Sequence, residues 1–208
     1  MRDFVLYANK GVTSSDFYLK DLPGSGGRMD LIARCVISAL WLSRDMRRDT
    51  RIHICLNGPP NPPLTVTFDG EKLRRVSPDE RNVGGWIRKA LKKAEEELEK
   101  EKGEIENLKA NDGIFVSQKN FYQTWQLLSG EKGRRLFQLH EEGKDIRERE
   151  KGELENPVLL LGDHMGIAAE ERKRLEEARV DKLNLGPYSY FASGSITIVH
   201  NELDRRGL

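Results

Sequence analysis

The chain has 208 residues, with 35 Lys and Arg set against 34 Asp and Glu for a formal net charge of +1. That length suits one large domain with a sizeable core, and the balanced charge gives no global argument for a polyanionic partner. Two cysteines and four histidines exclude a disulfide framework as the basis of the fold, and no metal site is expected. No apolar run reaches membrane-spanning length and the first residues open directly on a strand pattern, so a soluble, cytoplasmic protein without a membrane partner is expected.

In chain order, Phe4 to Ala8 is an apolar run of strand type, and Asn9 to Gly27 is a polar loop with an insert at Phe17-Tyr18-Leu19. Met29 to Leu42 carries apolar residues at helical spacing. An aspartate in its first turn, Asp30, compensates the helix dipole or serves a site; both readings stand. Arg44, Arg47, Arg48 and Arg51 form a basic cluster past the helix, either a solvated surface or a patch for RNA phosphates. Arg51 to Leu56 alternates as a strand, with Cys35 and Cys55 expected to be buried thiols. The four prolines of Asn57 to Pro63 break the chain, and Asp69-Gly70 signals a hairpin, so a small antiparallel excursion is expected around residues 57–75.

Trp86 to about Leu108 reads as the longest helix, projecting and solvent-facing around residues 86–110, with Glu and Lys dominating Ala94 to Lys102. A short strand follows at Gly113 to Ser117, then a helix from Asn120 to Leu128 whose Phe121, Trp125 and Leu128 form a core stripe. Leu136 to Leu139 is a strand, Glu141 to Glu155 a charged loop, Ala168 to Ala178 a helix and Val180 to Leu185 a strand. Ser195 to His200, S-I-T-I-V-H, has the β-branched composition of a strand.

Two strand ends carry functional chemistry. Pro157 to Gly166, P-V-L-L-L-G-D-H-M-G, is a buried strand opening into a polar loop. Leu183 to Ser195, L-N-L-G-P-Y-S-Y-F-A-S-G-S, is a turn-rich loop of small residues and two tyrosines. In parallel sheets ligands sit at the carboxyl ends of strands, so the two loops together suggest a pocket for a flat organic ligand. Strand–helix alternation implies an α/β fold with a largely parallel sheet.

Four segments in order, G-R-M-D-L-I-A-R (Gly27 to Arg34), S-P-D-E-R (Ser77 to Arg81), L-G-D-H-M-G (Leu161 to Gly166) and L-G-P-Y-S-Y-F-A-S (Leu185 to Ser193), resemble the archaeal TrmY family. The resemblance covers the whole chain, read as one domain over residues 1–208. It implies a SPOUT methyltransferase with a C-terminal trefoil knot, a homodimer, and a helix in place of the strand pattern at Ser195 to His200. It further implies S-adenosylmethionine-dependent N1-methylation of pseudouridine in the T-loop of tRNA. Cofactor contacts would come from Leu139, Gly162, Leu185, Gly186, Pro187, Tyr188, Ser189, Tyr190 and Ser195, small side chains giving the ligand access to backbone groups. The family commonly has Cys where this chain has Ser195, so nothing here rests on a thiol.

Methyl transfer to N1 needs a partner for the N1 proton. Asp30 and Asp79 are the candidates, each beside arginines in a family-like motif, and Arg28, Arg34 and Arg81 are the expected phosphate contacts. Asp163 and His164 are expected to be structural. Ribosomal RNA pseudouridine N1-methylation, a non-catalytic knotted RNA-binding protein, and a hydrolase built on Asp163-His164 are the competing readings. The last lacks a Ser or Cys nucleophile motif.

Overall fold

Successive side chains point to opposite faces of a strand, so the continuous apolar runs of Phe4 to Ala8 and Pro157 to Leu161 have two faces to bury, and helices cover both. The computed structural model describes residues 1–100 and 104–208. Its strands are β1 (Arg2–Ala8), β2 (Thr50–Leu56), β3 (Leu64–Asp69), β4 (Leu108–Asn111), β5 (Ile114–Ser117), β6 (Arg135–Asp145), β7 (Pro157–Gly162) and β8 (Asp181–Asn184). The helices are α1 (Met29–Leu40), α2 (Glu80–Leu98), α3 (Phe121–Ser129), α4 (Ala169–Glu177) and α5 (Ala192–Arg205). The strands form one sheet of order β4-β5-β3-β2-β1-β7-β6-β8. The β2-β1-β7-β6-β8 portion is parallel, as the alternation of elements implies, and β3, β5 and β4 extend it antiparallel.

Central β1 shows how the layers divide. Phe4, Leu6 and Ala8 enter the larger core with Val36 of α1, Ile87 of α2 and Val199 of α5. Val5 faces the smaller core with Phe121 and Trp125 of α3 and Leu175 of α4. The α3 aromatic stripe is therefore core, as expected. Both cysteines are buried and unpaired.

Several element boundaries differ from the sequence reading. The longest helix begins at Glu80 rather than Trp86, because the Asp79 carboxylate accepts the Asn82 N–H at 2.8 Å and caps it. It ends at Leu98, buries Val83, Ile87, Ala90, Leu91 and Ala94, and is not a projecting element over its described length. Leu108 belongs to β4, a strand the pattern did not reveal. Asp69-Gly70 makes no hairpin; its aspartate accepts the Glu71 N–H at 3.0 Å and ends β3, whose antiparallel partners are β2 and β5. The segment Glu141 to Asp145 continues β6 instead of looping, and 3₁₀ turns at Ile146–Glu148 and Lys151–Leu154 complete the crossover to β7.

Ser195 to His200 is helical despite its β-branched residues. Each such residue costs a few tenths of a kcal/mol in helix propensity. Burial of Ile196, Val199 and Leu203 against α1 and the sheet outweighs that penalty.

The basic cluster is mostly internal. Arg47 grips Asp204 of α5 at 3.0 and 2.6 Å, Arg48 donates to the Gly70 and Leu73 carbonyls, and Arg51 pairs with buried Asp3 at 2.6 and 3.0 Å. An RNA patch at this cluster is thereby replaced by ties between elements. Buried His200 completes the anchor of α5. Its Nδ1 accepts from Arg2 at 2.8 Å and its Nε2 donates to the Ala39 carbonyl at 3.0 Å. Burial, reinforced by the charges of Arg47 and Arg2, holds the imidazole down to about 3 from an ordinary 6.5.

The folded pKa lies below the unfolded one, so between them the unfolded chain binds the extra proton and stability falls with falling pH. His200 should remove about 2 kcal/mol of stability as pH drops from 6.5 to 5. Urea unfolding at both pH values should show a smaller loss for His200→Gln. Equal losses in both proteins would contradict the assignment.

Candidate active site

Sheet growth switches direction at β1, since β2 lies on one side of it and β7 on the other. The crevice beyond the carboxyl ends of such neighbours is where open α/β sheets bind ligands. Asn9, just past β1, meets Asp163, just past β7. Its backbone N–H and side-chain Nδ2 donate to the two Asp163 carboxylate oxygens at 2.7 and 2.8 Å, and Nδ2 also donates to the Gly166 carbonyl at 2.7 Å. The Met165 N–H adds a further bond to Asp163 at 2.9 Å.

A cavity of about 760 Å³ opens beside this clamp. Leu31, Ile32 and Cys35 of α1 form one wall, and Leu161, Gly162 and Asp163 at the end of β7 form another. The rest comes from Leu139, His140 and Glu141 of β6 and from Leu185, Gly186, Tyr188, Ser189, Tyr190 and Ser195 beyond β8. The sequence-derived cofactor residues thus converge, except Pro187, which is exposed and outside the wall.

Gly162 has a different reason from the one expected. A Cβ there would meet backbone atoms of Gly166 and Ile167 at 2.2 to 2.6 Å. The glycine lets the chain fold back on itself at the wall; it does not spare room for a ligand atom.

A break in strand register shapes the opposite wall. Leu139 and Lys144 both align with Leu183, so residues 140–143 bulge out of β6 and re-aim Glu141 toward the cavity. The Ser189 hydroxyl donates to the Glu141 carboxylate, and that bond holds its pKa below the usual range and keeps it ionised. The Asn184 side chain donates to the Glu141 carbonyl, tying the loop after β8 to the same bulge.

Burial pushes the Cys35 thiol up to about 12, which leaves it neutral and unsuited to nucleophilic attack. His164 Nδ1 lies 3.7 Å from Asp163, beyond hydrogen-bond reach. With its oxygens already accepting from Asn9 and Met165, Asp163 works as a clamp, and it forms no relay with His164.

The α1 entrance is the second functional feature. Arg28 sits in the left-handed region at φ 68°, following Gly27 at φ 61°. A non-glycine residue there costs roughly 1–2 kcal/mol. From that backbone turn the Arg28 guanidinium reaches Asp30 at 3.0 and 3.1 Å. Arg34 also binds Asp30, at 2.8 Å, and reaches Glu80 of α2 at 3.1 Å. Burial would raise the Asp30 pKa, but the bonds and charges of the two arginines outweigh it and hold the carboxyl below its ordinary value.

The structure places none of Arg28, Asp30, Arg34, Asp79 and Arg81 in the wall of this cavity; Asp79 and Arg81 line a separate groove at the start of α2. Asn9 and Glu141 were missed by the sequence reading. A polar residue directly after an apolar strand was the available signal for Asn9, whereas the bulge that delivers Glu141 had none.

Comparison with known proteins adds the deciding observation. The family model described as SAM-dependent RNA methyltransferase matches residues 1–208. The chain belongs to this family. A member from Methanocaldococcus jannaschii, named tRNA (pseudouridine(54)-N(1))-methyltransferase, is 45% identical over 206 residues, covering 99% of this chain and 98% of its own. The protein of the same name from Methanosarcina acetivorans is 44% identical, covering 99% and 92%. Among solved structures, Archaeoglobus fulgidus Nep1 bound to S-adenosylhomocysteine covers 100% of this chain and 98% of its own at 15% identity, with a TM-score of 0.61, a likeness of fold.

The cavity fits the S-adenosylmethionine of this methyltransferase family. Leu139 and Leu185 offer apolar contact, the glycine-rich turns expose backbone donors and acceptors, and ionised Glu141 complements a ligand carrying sulfonium and ammonium charges. Gly162→Ala should lower stability by about 1–3 kcal/mol through overpacking and weaken S-adenosylmethionine binding, read by thermal melts and calorimetry. An unchanged melting temperature would contradict the close-packed turn.

Proposed function

We propose that the protein N1-methylates the pseudouridine at position 54 in the T-loop of tRNA, giving N1-methylpseudouridine, the activity for which its 45% identical relative is named. The observation that carries this reading is the cavity at the β1/β7 switch point, walled by the glycine-rich turns of a SAM-dependent RNA methyltransferase. S-adenosylmethionine, when bound, supplies an electrophilic methyl group on a sulfonium that is its own leaving group. The chain's part is to align the two reactants and exclude water.

Pseudouridine N1 carries a proton at neutral pH, which must leave as the new N–C bond forms. Asp30 is the proposed partner for that proton. Arg28 and Arg34 keep it ionised, hence able to accept, and their charge makes it a weak base suited to hydrogen-bonding the departing proton. Asp30 is not itself in the cavity wall; the support is that Leu31, Ile32 and Cys35 of the same helix line it. Asp79 is left to cap α2. Arg28 and Arg34, part-exposed while bonded to Asp30, are proposed to meet the phosphates flanking the target base.

A trefoil knot is proposed for the C-terminal segment. Support comes from α5, which packs on α1 while its far end is covered by the β6–β7 crossover, through Arg206 to the Arg149 and Ile146 carbonyls and Arg147 to Glu202. A homodimer is proposed as well, in the cytoplasm with tRNA as substrate. Tyr188, Phe191 and Met165 stand 72%, 79% and 55% exposed around the cavity loops, an apolar face suited to a second copy. No helix among the described residues is long and apolar enough to cross a membrane.

Labelled S-adenosylmethionine and two tRNA transcripts, one with pseudouridine and one with uridine at the target position, test the activity. Label confined to the pseudouridine transcript is expected; label in both or in neither would overturn the reading. Asp30→Asn should keep S-adenosylmethionine affinity and lower kcat about 10²-fold. An unchanged kcat would remove Asp30 from the mechanism.

A further inference from the structure

The arginines of the site region differ in what already holds them. Arg28 and Arg34 would meet a phosphate only while bonded to Asp30 and, for Arg34, to Glu80. Among the described residues Arg81, Arg88 and Lys89 meet no carboxylate, and they share one face of α2 at helical spacing. They line an open groove of about 360 Å³ with Leu19, Gly85 and Trp86. Asp79 lies at its rim, but its carboxylate caps the helix by accepting the Asn82 N–H.

The groove has two features that a merely solvated face lacks. The Lys89 ammonium sits 4.0 Å from the centroid of the Trp86 ring, so a cation is held in place over an indole before any ligand arrives. Gly85 lies mid-helix, where alanine is the better helix former. A Cβ there would meet only Leu19, at an ordinary 3.7 Å. Packing does not demand this glycine, and its effect is to leave the floor between Arg81, Arg88 and Lys89 bare. The Arg34–Glu80 ion pair ties this end of α2 to α1, whose Leu31, Ile32 and Cys35 line the cavity.

We infer that the groove formed by Arg81, Gly85, Arg88 and Lys89 is a second docking site for the RNA substrate, gripping backbone phosphates away from the reacting base. The inference rests on the RNA-methylation reading and adds to it where the rest of the substrate lies. Guanidinium and ammonium groups without a carboxylate partner match phosphate in charge, and a bare helix floor lets a sugar–phosphate chain approach closely. Contacts of this kind orient the substrate and carry no base identity.

The test compares wild type with the Arg88→Ala/Lys89→Ala double variant on a pseudouridine-bearing tRNA transcript, by filter binding across a salt series and by steady-state methylation. Loss of two phosphate contacts should make the plot of log affinity against log salt shallower by about 1.4–1.8. KM for the RNA should rise about tenfold, with kcat at saturating RNA and S-adenosylmethionine affinity unchanged. Gly85→Glu, which fills the floor with a negative charge and removes no packing, should weaken RNA binding in the same direction. An unchanged salt slope and KM in the double variant would overturn the groove even though wild type methylates. If wild type transfers no methyl group yet the slope falls in the variant, the groove stands and the activity fails.

Discussion

The Asp163 side chain joins the ends of two neighbouring strands, and the walls of the cavity depend on that junction. It takes the backbone and side-chain N–H groups of Asn9 and the N–H of Met165, while the Asp163 N–H donates to the Tyr7 carbonyl at 3.0 Å. Carboxylate bonds to N–H groups are among the stronger ones in a protein, and these draw the 162–166 turn tightly against the end of β1. Gly162 makes the turn sterically possible, and Asn9 Nδ2 closes it from the other side by holding the Gly166 carbonyl. With that edge set, the loop after β8 and the β6 bulge complete the cavity through Ser189 and Asn184 on Glu141.

Electrostatics then divides the labour. Arginines are paired in twos where the fold needs them: Arg51 and Arg134 at Asp3, Arg47 and Arg2 at Asp204. At the α1 entrance Arg28 and Arg34 share Asp30, and Arg34 also meets Glu80 of α2. The net charge of +1 conceals this arrangement. What matters for a polyanionic substrate is which cations have no internal partner.

Much of the parallel sheet was legible in the sequence, because strands buried on both faces read as continuous apolar runs, as in Phe4 to Ala8 and Pro157 to Leu161. The loop residues after β7 and β8 were legible too, through glycine and serine at strand ends. Three kinds of information were not. The cap at Asp79 that lengthens α2 competes with a functional reading of the same motif, and only geometry separates them. The bulge at residues 140–143 leaves no periodic signature in so charged a stretch. The helical state of Ile196 to His200 opposes local propensity and is set by α1, which lies far away in the chain. Arg47, Arg48 and Arg51 looked like a surface patch because their partners Asp204, Gly70 and Asp3 are distant in sequence.

The Asn9–Asp163 clamp sets the edge of the S-adenosylmethionine cavity. Calorimetric titration of S-adenosylmethionine into wild type and Asn9→Ala tests this, with circular dichroism to confirm that the sheet and helices persist. Wild type should bind saturably, with affinity at least about tenfold weaker in Asn9→Ala, the loss of a hydrogen-bonded partner to a charged group. Equal affinity in the two proteins would contradict it.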